Sequence, residues 1–228
     1  MIIKKTLILC ILSFSLSCFS QNKNHIKHND SLVGYENLSI NNGLVYTNKY
    51  KITSKNTSQF LENKYNKSIL QYNNQAYYDL NMKYDVFHDL LLIKPNTQLV
   101  LETSLITKQV DYFILKNKKF KKIETISTDN KVNVGFFEEI EINTKSTLYI
   151  KHKKTLKTDS KSDKLSYIFY DYKIYYIFQN NKLEEISTKA SIINLFPTLK
   201  KEIKQFYKAN QKETNIQFFY QNLFKTII

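Results

Sequence analysis

From Tyr167 to Phe178 the chain alternates without interruption. Ile168, Tyr170, Tyr172, Ile174, Tyr176 and Phe178 fall on one side, and Tyr167, Phe169, Asp171, Lys173, Tyr175 and Ile177 on the other. Successive side chains of an extended backbone point to opposite faces, so a period of two marks a strand and excludes an amphipathic helix here. One wholly apolar side and one half-polar side suit a central strand of a curved antiparallel sheet. Such a strand needs partners, and Leu148-Tyr149-Ile150 is the expected one, across an all-polar loop from Lys157 to Lys164.

The same period recurs upstream. Ile69 to Tyr72 leads through Asn73-Asn74 into Gln75–Met82, where Ala76, Tyr78, Leu80 and Met82 share a face. Tyr112–Leu115 passes through Lys116-Asn117-Lys118-Lys119 to Phe120, and Tyr175–Phe178 through Gln179-Asn180-Asn181-Lys182 to Leu183. Asn suits tight hairpins because it tolerates positive φ and its side chain bonds nearby backbone. Asn42-Gly43 carries a type I′ signal before Leu44-Val45-Tyr46. Leu90–Ile93 reads as a short buried strand after a turn over Tyr84–Asp89, and Pro95-Asn96 ends it. Ser58–Lys67 is ambiguous, with a short helical turn expected around Phe60, Leu61 and Lys64.

After Glu185 the period changes. Thr188 can cap a helix ending near Leu195. Pro197 suits the first turn of a second helix to about Lys208, with Leu199, Ile203, Phe206 and Tyr207 as its apolar stripe. Ile216–Ile227 offers a third. The expected fold class is therefore α+β. A curved antiparallel β-sheet (a meander, sandwich or open barrel) spans residues 32–186, and a small helical segment packed on it spans 187–228. Gln21–Ser31 is polar and aperiodic, and is expected to be a flexible tail.

Met1–Ser20 has the form of an export signal. Lys4 and Lys5 precede a mostly apolar stretch from Thr6 to Leu16, and Cys18 and Ser20 suit a cut before Gln21. The apolar run to Phe19 is about fourteen residues, short of the roughly twenty that a spanning helix needs. Lipid attachment at Cys18 and an uncleaved anchor are the alternatives; the lipobox Leu is displaced, with Ser15 at its place and Leu16 one residue late. Cleavage before Gln21 would remove both cysteines, leaving stability to burial and strand pairing. The expected location is periplasmic or secreted.

Composition excludes more than it selects. The net charge is +14 and every one of the 34 basic residues is a lysine. Bidentate grips on phosphate favour the guanidinium fork, so nucleic acid is a poor fit as partner. An anionic polymer or an envelope protein remains open. The chain holds 3 glycines and 2 prolines. It has no Gly-rich phosphate loop, no GxSxG elbow, no HExxH and no CxxC.

Several polar groupings invite a chemical reading and have a simpler one. His25 and His28 lack a fixed third ligand. His88 lies between Asp85 and Asp89 and could serve as a general base, but the segment reads more simply as a turn. Glu138, Glu139 and Glu141 read as cross-strand ion pairs on a solvated face rather than a glycosidase pair. His152 stands among lysines, which disfavour its charged form. The clusters Lys116–Lys122 and Lys151–Lys164 could hold an anionic glycan or lipid. On this basis no catalytic, cofactor-binding or metal-binding residue is assigned.

The ending Cys18-Phe19-Ser20 before Gln21 resembles export signals of flavobacteria and related Bacteroidota. The layout Asn42-Gly43-Leu44-Val45-Tyr46, Tyr84-Asp85 and Asp89-Leu90-Leu91, with the tail Leu195-Phe196-Pro197 before Lys200-Lys201-Glu202-Ile203-Lys204, is similar to small secreted proteins of that group. The resemblance implies export and transfers no site residue. The functional expectation is a non-catalytic envelope or secreted binding module. A carrier of an apolar ligand or lipid in the curved sheet is the alternative, and a hydrolase the third. A wide apolar cavity under Tyr170, Tyr172 and Tyr176 would favour the carrier. Convergence of His88 with a hydroxyl and a distant carboxylate would favour the hydrolase.

Overall fold

Asparagine-bearing two-residue turns set the shape of the sheet. The computed structural model describes residues 23–50, 57–94, 101–126, 132–159 and 166–228. Two units are distinguished, one ending at Leu38 and the other spanning Ser39–Ile228.

In the first unit Lys23–Val33 is a helix, α1. It stops at Gly34, whose φ of +87° only glycine adopts freely. The Asn37 side-chain amide donates to the Val33 carbonyl at 2.9 Å. The flexible tail expected over Gln21–Ser31 is helical from Lys23 onward. Lack of an apolar period removes a buried stripe, yet a run without Gly or Pro can still be helical.

In the second unit the strands are β1 (Leu44–Val45), β2 (Asn66–Tyr72), β3 (Gln75–Asp85), β4 (Leu90–Ile93), β5 (Thr103–Ser104), β6 (Val110–Leu115), β7 (Lys118–Ile126), β8 (Val132–Asn143), β9 (Ser146–Asp159), β10 (Ser166–Gln179) and β11 (Lys182–Ile186). Among the described residues they form one open antiparallel sheet ordered β1-β5-β4-β3-β2-β6-β7-β8-β9-β10-β11. From β6 onward it is a plain meander. The chain returns from β5 to the far side of β2, where Val110 pairs with Tyr72.

Three hairpins carry positive φ at both central residues: Asn73 and Asn74 (49° and 63°), Lys116 and Asn117 (51° and 61°), Asn180 and Asn181 (51° and 60°). Type I′ turns of this kind match the right-handed twist of the flanking strands. Lys118 and Lys119 therefore belong to β7 rather than to a loop. Asn42-Gly43 is not such a turn. Gly43 is needed for a close approach: a Cβ there would lie 2.3 Å from the Ser104 carbonyl oxygen of β5. Ser58–Lys67 is not helical either; Phe60 bridges to Asp85 and β2 begins at Asn66. The expected break at Pro95-Asn96 lies outside the described residues. The expected loop from Lys157 starts later, because Lys157, Thr158 and Asp159 still pair with Ile168, Tyr167 and Ser166.

The sheet forks between β8 and β9. Their pairing ends at Glu138↔Ile150. Beyond it β8 continues along β7 to Ile126↔Val132, and β9 along β10 to Ser166↔Asp159. The β3–β4 turn meets the sheet at this fork. The Asp89 carboxylate accepts from the Tyr84 hydroxyl at 2.5 Å, from the Phe136 N–H at 3.3 Å and from Lys151 Nζ at 2.7 Å. Lys151 Nζ also donates to the Phe136 carbonyl at 3.2 Å. Gly135, at φ +113°, makes the space: a Cβ there would fall 1.7 Å from Asp89 Oδ2.

Two cores result. Tyr84, Phe113, Phe120 and Phe136 are each at most 1% exposed. Phe113 and Phe120 stack at 4.8 Å, and Tyr84 meets all three phenylalanines edge-on. Such pairs add to their burial through the ring quadrupole. The second core lies under the helices α2 (Lys189–Leu195), α3 (Lys200–Ala209) and α4 (Ile216–Ile227). Leu148, Ile150, Tyr175, Ile177 and Ile186 of the sheet pack there against Ile192, Ile203, Tyr220, Leu223 and Phe224. Thr188 forms a capping box with Ser191, and Asn215 caps α4 by accepting from the Phe218 N–H. The helical unit thus follows the apolar stripes as expected.

The faces of β10 are used differently from a simple inside and outside. Tyr175 and Ile177 of its mixed side lie under the helices. The wholly apolar side is buried only toward its end, where Tyr176 packs on Phe137 and Leu183. Tyr170 and Tyr172 remain 51% and 45% exposed.

Candidate functional site

Strand register brings three polar side chains together. Phe120 pairs with Glu138, and Glu138 with Ile150. Lys118 and His152 each stand two residues from those partners, so they share the face of Glu138 on the strands either side of it. Lys118 Nζ donates to both Glu138 oxygens at 2.8 and 2.9 Å. His152 Nε2 lies 2.7 Å from Glu138 Oε2. Gln217 of α4 donates to Glu138 Oε1 at 3.1 Å. Glu138 is 3% exposed.

A buried carboxylate needs its hydrogen bonds. Burial by itself would raise the pKa of Glu138, but the bonds from His152 and Lys118 outweigh it and hold the group down at about 2. Burial lowers the pKa of His152; Glu138 opposes this, while Lys173 and Lys118 reinforce it. At neutral pH the cluster thus holds an ionised carboxylate and a neutral imidazole. An ionised carboxylate only accepts, so Nε2 of His152 carries the proton and Nδ1 is left as acceptor.

Both shifts act in the same direction on stability. Above its ordinary value of 6.5 His152 is neutral folded and unfolded; below it the unfolded chain takes up a proton that the folded site resists. Between the ordinary 4.5 of Glu138 and its folded value near 2 the unfolded chain again binds more protons. Stability is therefore expected to fall as pH drops through 6.5 and again below 4.5. Thermal unfolding followed against pH checks this, and His152→Gln should remove the first decline and, by removing the strongest bond that holds Glu138 down, shrink the second.

This cluster borders a cavity of about 500 Å³ lined in part by Lys116, Lys118, His152, Lys153, Tyr172 and Lys173. Glu62 and Asp171 also line it. Two of its lysines are neutralised, Lys116 by Glu62 and Lys118 by Glu138, and its Asp171 is held by Lys154 at 2.8 Å. Lys153 and Lys173 have no carboxylate partner among the described residues; Lys173 reaches only Gln217 Oε1, at 3.4 Å. Register places Lys153 opposite Tyr172 on one face of the β9–β10 ladder, and Lys173 opposite His152 on the other. The lining of the cavity therefore carries surplus positive charge.

His88 belongs to a separate cluster. Asp85, fully buried, accepts from the His88 N–H at 3.0 Å and the Tyr46 hydroxyl at 2.8 Å. His88 Nδ1 lies 2.8 Å from the same carboxylate. His88 Nε2 stands 3.4 Å from the Tyr50 hydroxyl, and Tyr50 packs on Phe87, Tyr167 and Phe169. The carboxylate comes from the same turn, not from a distant element. The hydroxyl is a phenol whose ionisation burial disfavours. The arrangement clamps a turn that has Asp89 at its end.

Of the other groups considered in the sequence, His25 and His28 are exposed on α1. Among the described residues no three His, Cys, Asp or Glu side chains gather to hold a metal ion. Glu139 does form the expected cross-strand pairs, with Lys119 at 2.5 Å and Lys121 at 3.8 Å. Glu138 does not lie on a solvated face. The alternation Phe136, Glu138, Ile140 held the clue, since it sets an acid between two apolar neighbours on one side.

Comparisons with protein families, curated proteins and solved structures return no match. Fold and site together define an open antiparallel sheet with a helical cover and a basic cavity beside a buried carboxylate. No described helix is long and apolar enough to cross a membrane.

Proposed function

We propose that this chain is an exported, non-catalytic binding module and that its lysine-lined cavity receives an anionic partner. The observation that carries the reading is a cavity of about 500 Å³ lined by four lysines, two of which, Lys153 and Lys173, have no carboxylate partner among the described residues. The other two are neutralised by Glu62 and Glu138, so the surplus is local and not merely a share of the overall charge. The dense aromatic core of Tyr84, Phe113, Phe120 and Phe136 supports binding at the surface over carriage of a lipid within the sheet. The export pattern at Met1–Ser20 supports a partner in the envelope or outside the cell.

Binding of this kind is governed by screening. Retention on an immobilised anionic polymer should weaken by about tenfold or more from low to high salt. A salt-independent interaction would remove the electrostatic reading.

A further inference from the structure

Beyond the cavity, we propose that the free edge of β9 in the fork receives an extended acidic segment of a partner protein, which pairs with it as an added strand. Alternate residues of a strand turn their N–H and C=O groups toward each neighbour. Past the Asp89 clamp, from Lys153 to Thr158, β9 pairs with β10 on one side, and among the described residues no strand meets its other side. That stretch is long enough for a strand of about five or six residues. It is also open to solvent, since Thr155, Lys157 and Thr158 are exposed. The outer edges of the sheet are shorter, with 2 residues in β1 and 5 in β11.

Side chains along the edge select the partner. By register, Lys153, Thr155 and Lys157 share one face with Tyr172, Tyr170 and Ile168 of β10. Tyr170 and Tyr172 are half-exposed there. On the opposite face Lys154 is held by Asp171 and His152 by Glu138. Lys153 and Lys157 have no carboxylate partner among the described residues, so the uncompensated charge of this edge lies on the tyrosine-bearing face. Lysines on a free edge resist pairing with a like strand, a second copy of this chain included, and favour a strand that brings acids to that face. Acids at alternate positions of the added strand would stand opposite or diagonal to Lys153 and Lys157. Main-chain bonds supply the rest of the affinity. The edge shares Lys153 and Tyr172 with the lining of the cavity, but the proposal does not use Lys173, which lies on the other face.

The test is calorimetric titration of the full chain at low salt with an octapeptide alternating Glu and Val, its Lys–Val counterpart, and two N-methylated isomers of the acidic peptide. One isomer is methylated on every Glu nitrogen and the other on every Val nitrogen. The acidic peptide should bind, and the lysine peptide at least about tenfold more weakly. The two isomers have the same charge and side chains, but an added strand turns only alternate N–H groups toward β9. One isomer should therefore bind nearly as well as the parent, and the other at least about tenfold more weakly. Lys153→Gln with Lys157→Gln should weaken the acidic peptide by about fivefold or more, and Lys173→Gln by less than about twofold. Unaltered circular dichroism would show that the variants fold. Equal binding of the two isomers would leave charge attraction alone and overturn strand pairing. If the lysine pair has no effect, or if Lys173→Gln has as large an effect, the edge of β9 is the wrong site. An acidic peptide that does not bind also overturns the proposal. The cavity reading is judged separately, by the salt dependence of retention on the anionic polymer.

Discussion

Replacing Asp89 with Ala is expected to destabilise the protein by about 3–5 kcal/mol, the cost of removing one partner from a buried ion pair. Lys151 is its partner at 2.7 Å; the lysine side chain is only 5% exposed and the aspartate 27%. Burial already lowers the pKa of Lys151, and Asp89 is what opposes that shift. The same carboxylate takes the Tyr84 hydroxyl and the Phe136 N–H, so one substitution leaves three donors short of an acceptor. At roughly 2–4 °C per kcal/mol for a chain of this size, the melting point should drop by about 6–20 °C. The double variant Asp89→Ala with Lys151→Met should recover much of the loss, because two apolar groups leave no buried charge. Urea unfolding of the two variants checks this. A loss under about 1 kcal/mol for Asp89→Ala would show that the clamp at the fork contributes little.

The second large effect is expected at Gly135. An alanine there meets two obstacles. Its φ of +113° disfavours an L side chain, and its Cβ would stand 1.7 Å from Asp89 Oδ2 and 2.5 Å from Lys151 Nζ. Backbone strain of about 1–2 kcal/mol and overpacking of about 1–3 kcal/mol combine to a loss of roughly 2–5 kcal/mol. The two sites should also couple. With Asp89→Ala already made, the oxygen that the new Cβ would strike is gone, and only the backbone cost and the contact with Lys151 remain. The double variant should therefore lose less than the sum of the singles, by at least about 1 kcal/mol. Strict additivity would place the strain of Gly135 wholly in its own backbone.

Much of the sheet was legible because its signals are local. Asn73-Asn74, Asn117 and Asn180-Asn181 announced hairpins through their tolerance of positive φ. The alternation in Gln75–Met82 and Tyr167–Phe178 announced strands. Thr188, Pro197 and the stripe of Ile203, Phe206 and Tyr207 announced helices. The ends of β9 and the placement of Ser58–Lys67 were not legible, since both depend on pairing with residues distant in sequence. Asn42-Gly43 misled for the same reason: Gly43 answers to the backbone of Ser104, a neighbour across the sheet.

The candidate site was largely hidden. Glu138 reads as one of three surface acids until register sets it between Lys118 and His152. Lys153 and Lys173 are two lysines among 34 until the partners of the others are known. Asp89, Lys151 and Gly135 carry no motif, and their roles arise where β8 and β9 part.

The sequence by itself determined the strand and helix periods, the tight turns, the lysine-only positive charge and the exclusion of loop-borne phosphate chemistry. These follow from dihedral preference and composition, which need no neighbour. Only the tertiary structure decided which face of β10 the helices cover, which carboxylate is buried, and which lysines lack an opposite charge among the described residues. Those outcomes depend on strand order and on a fork in the sheet, where desolvation makes a single partner decisive.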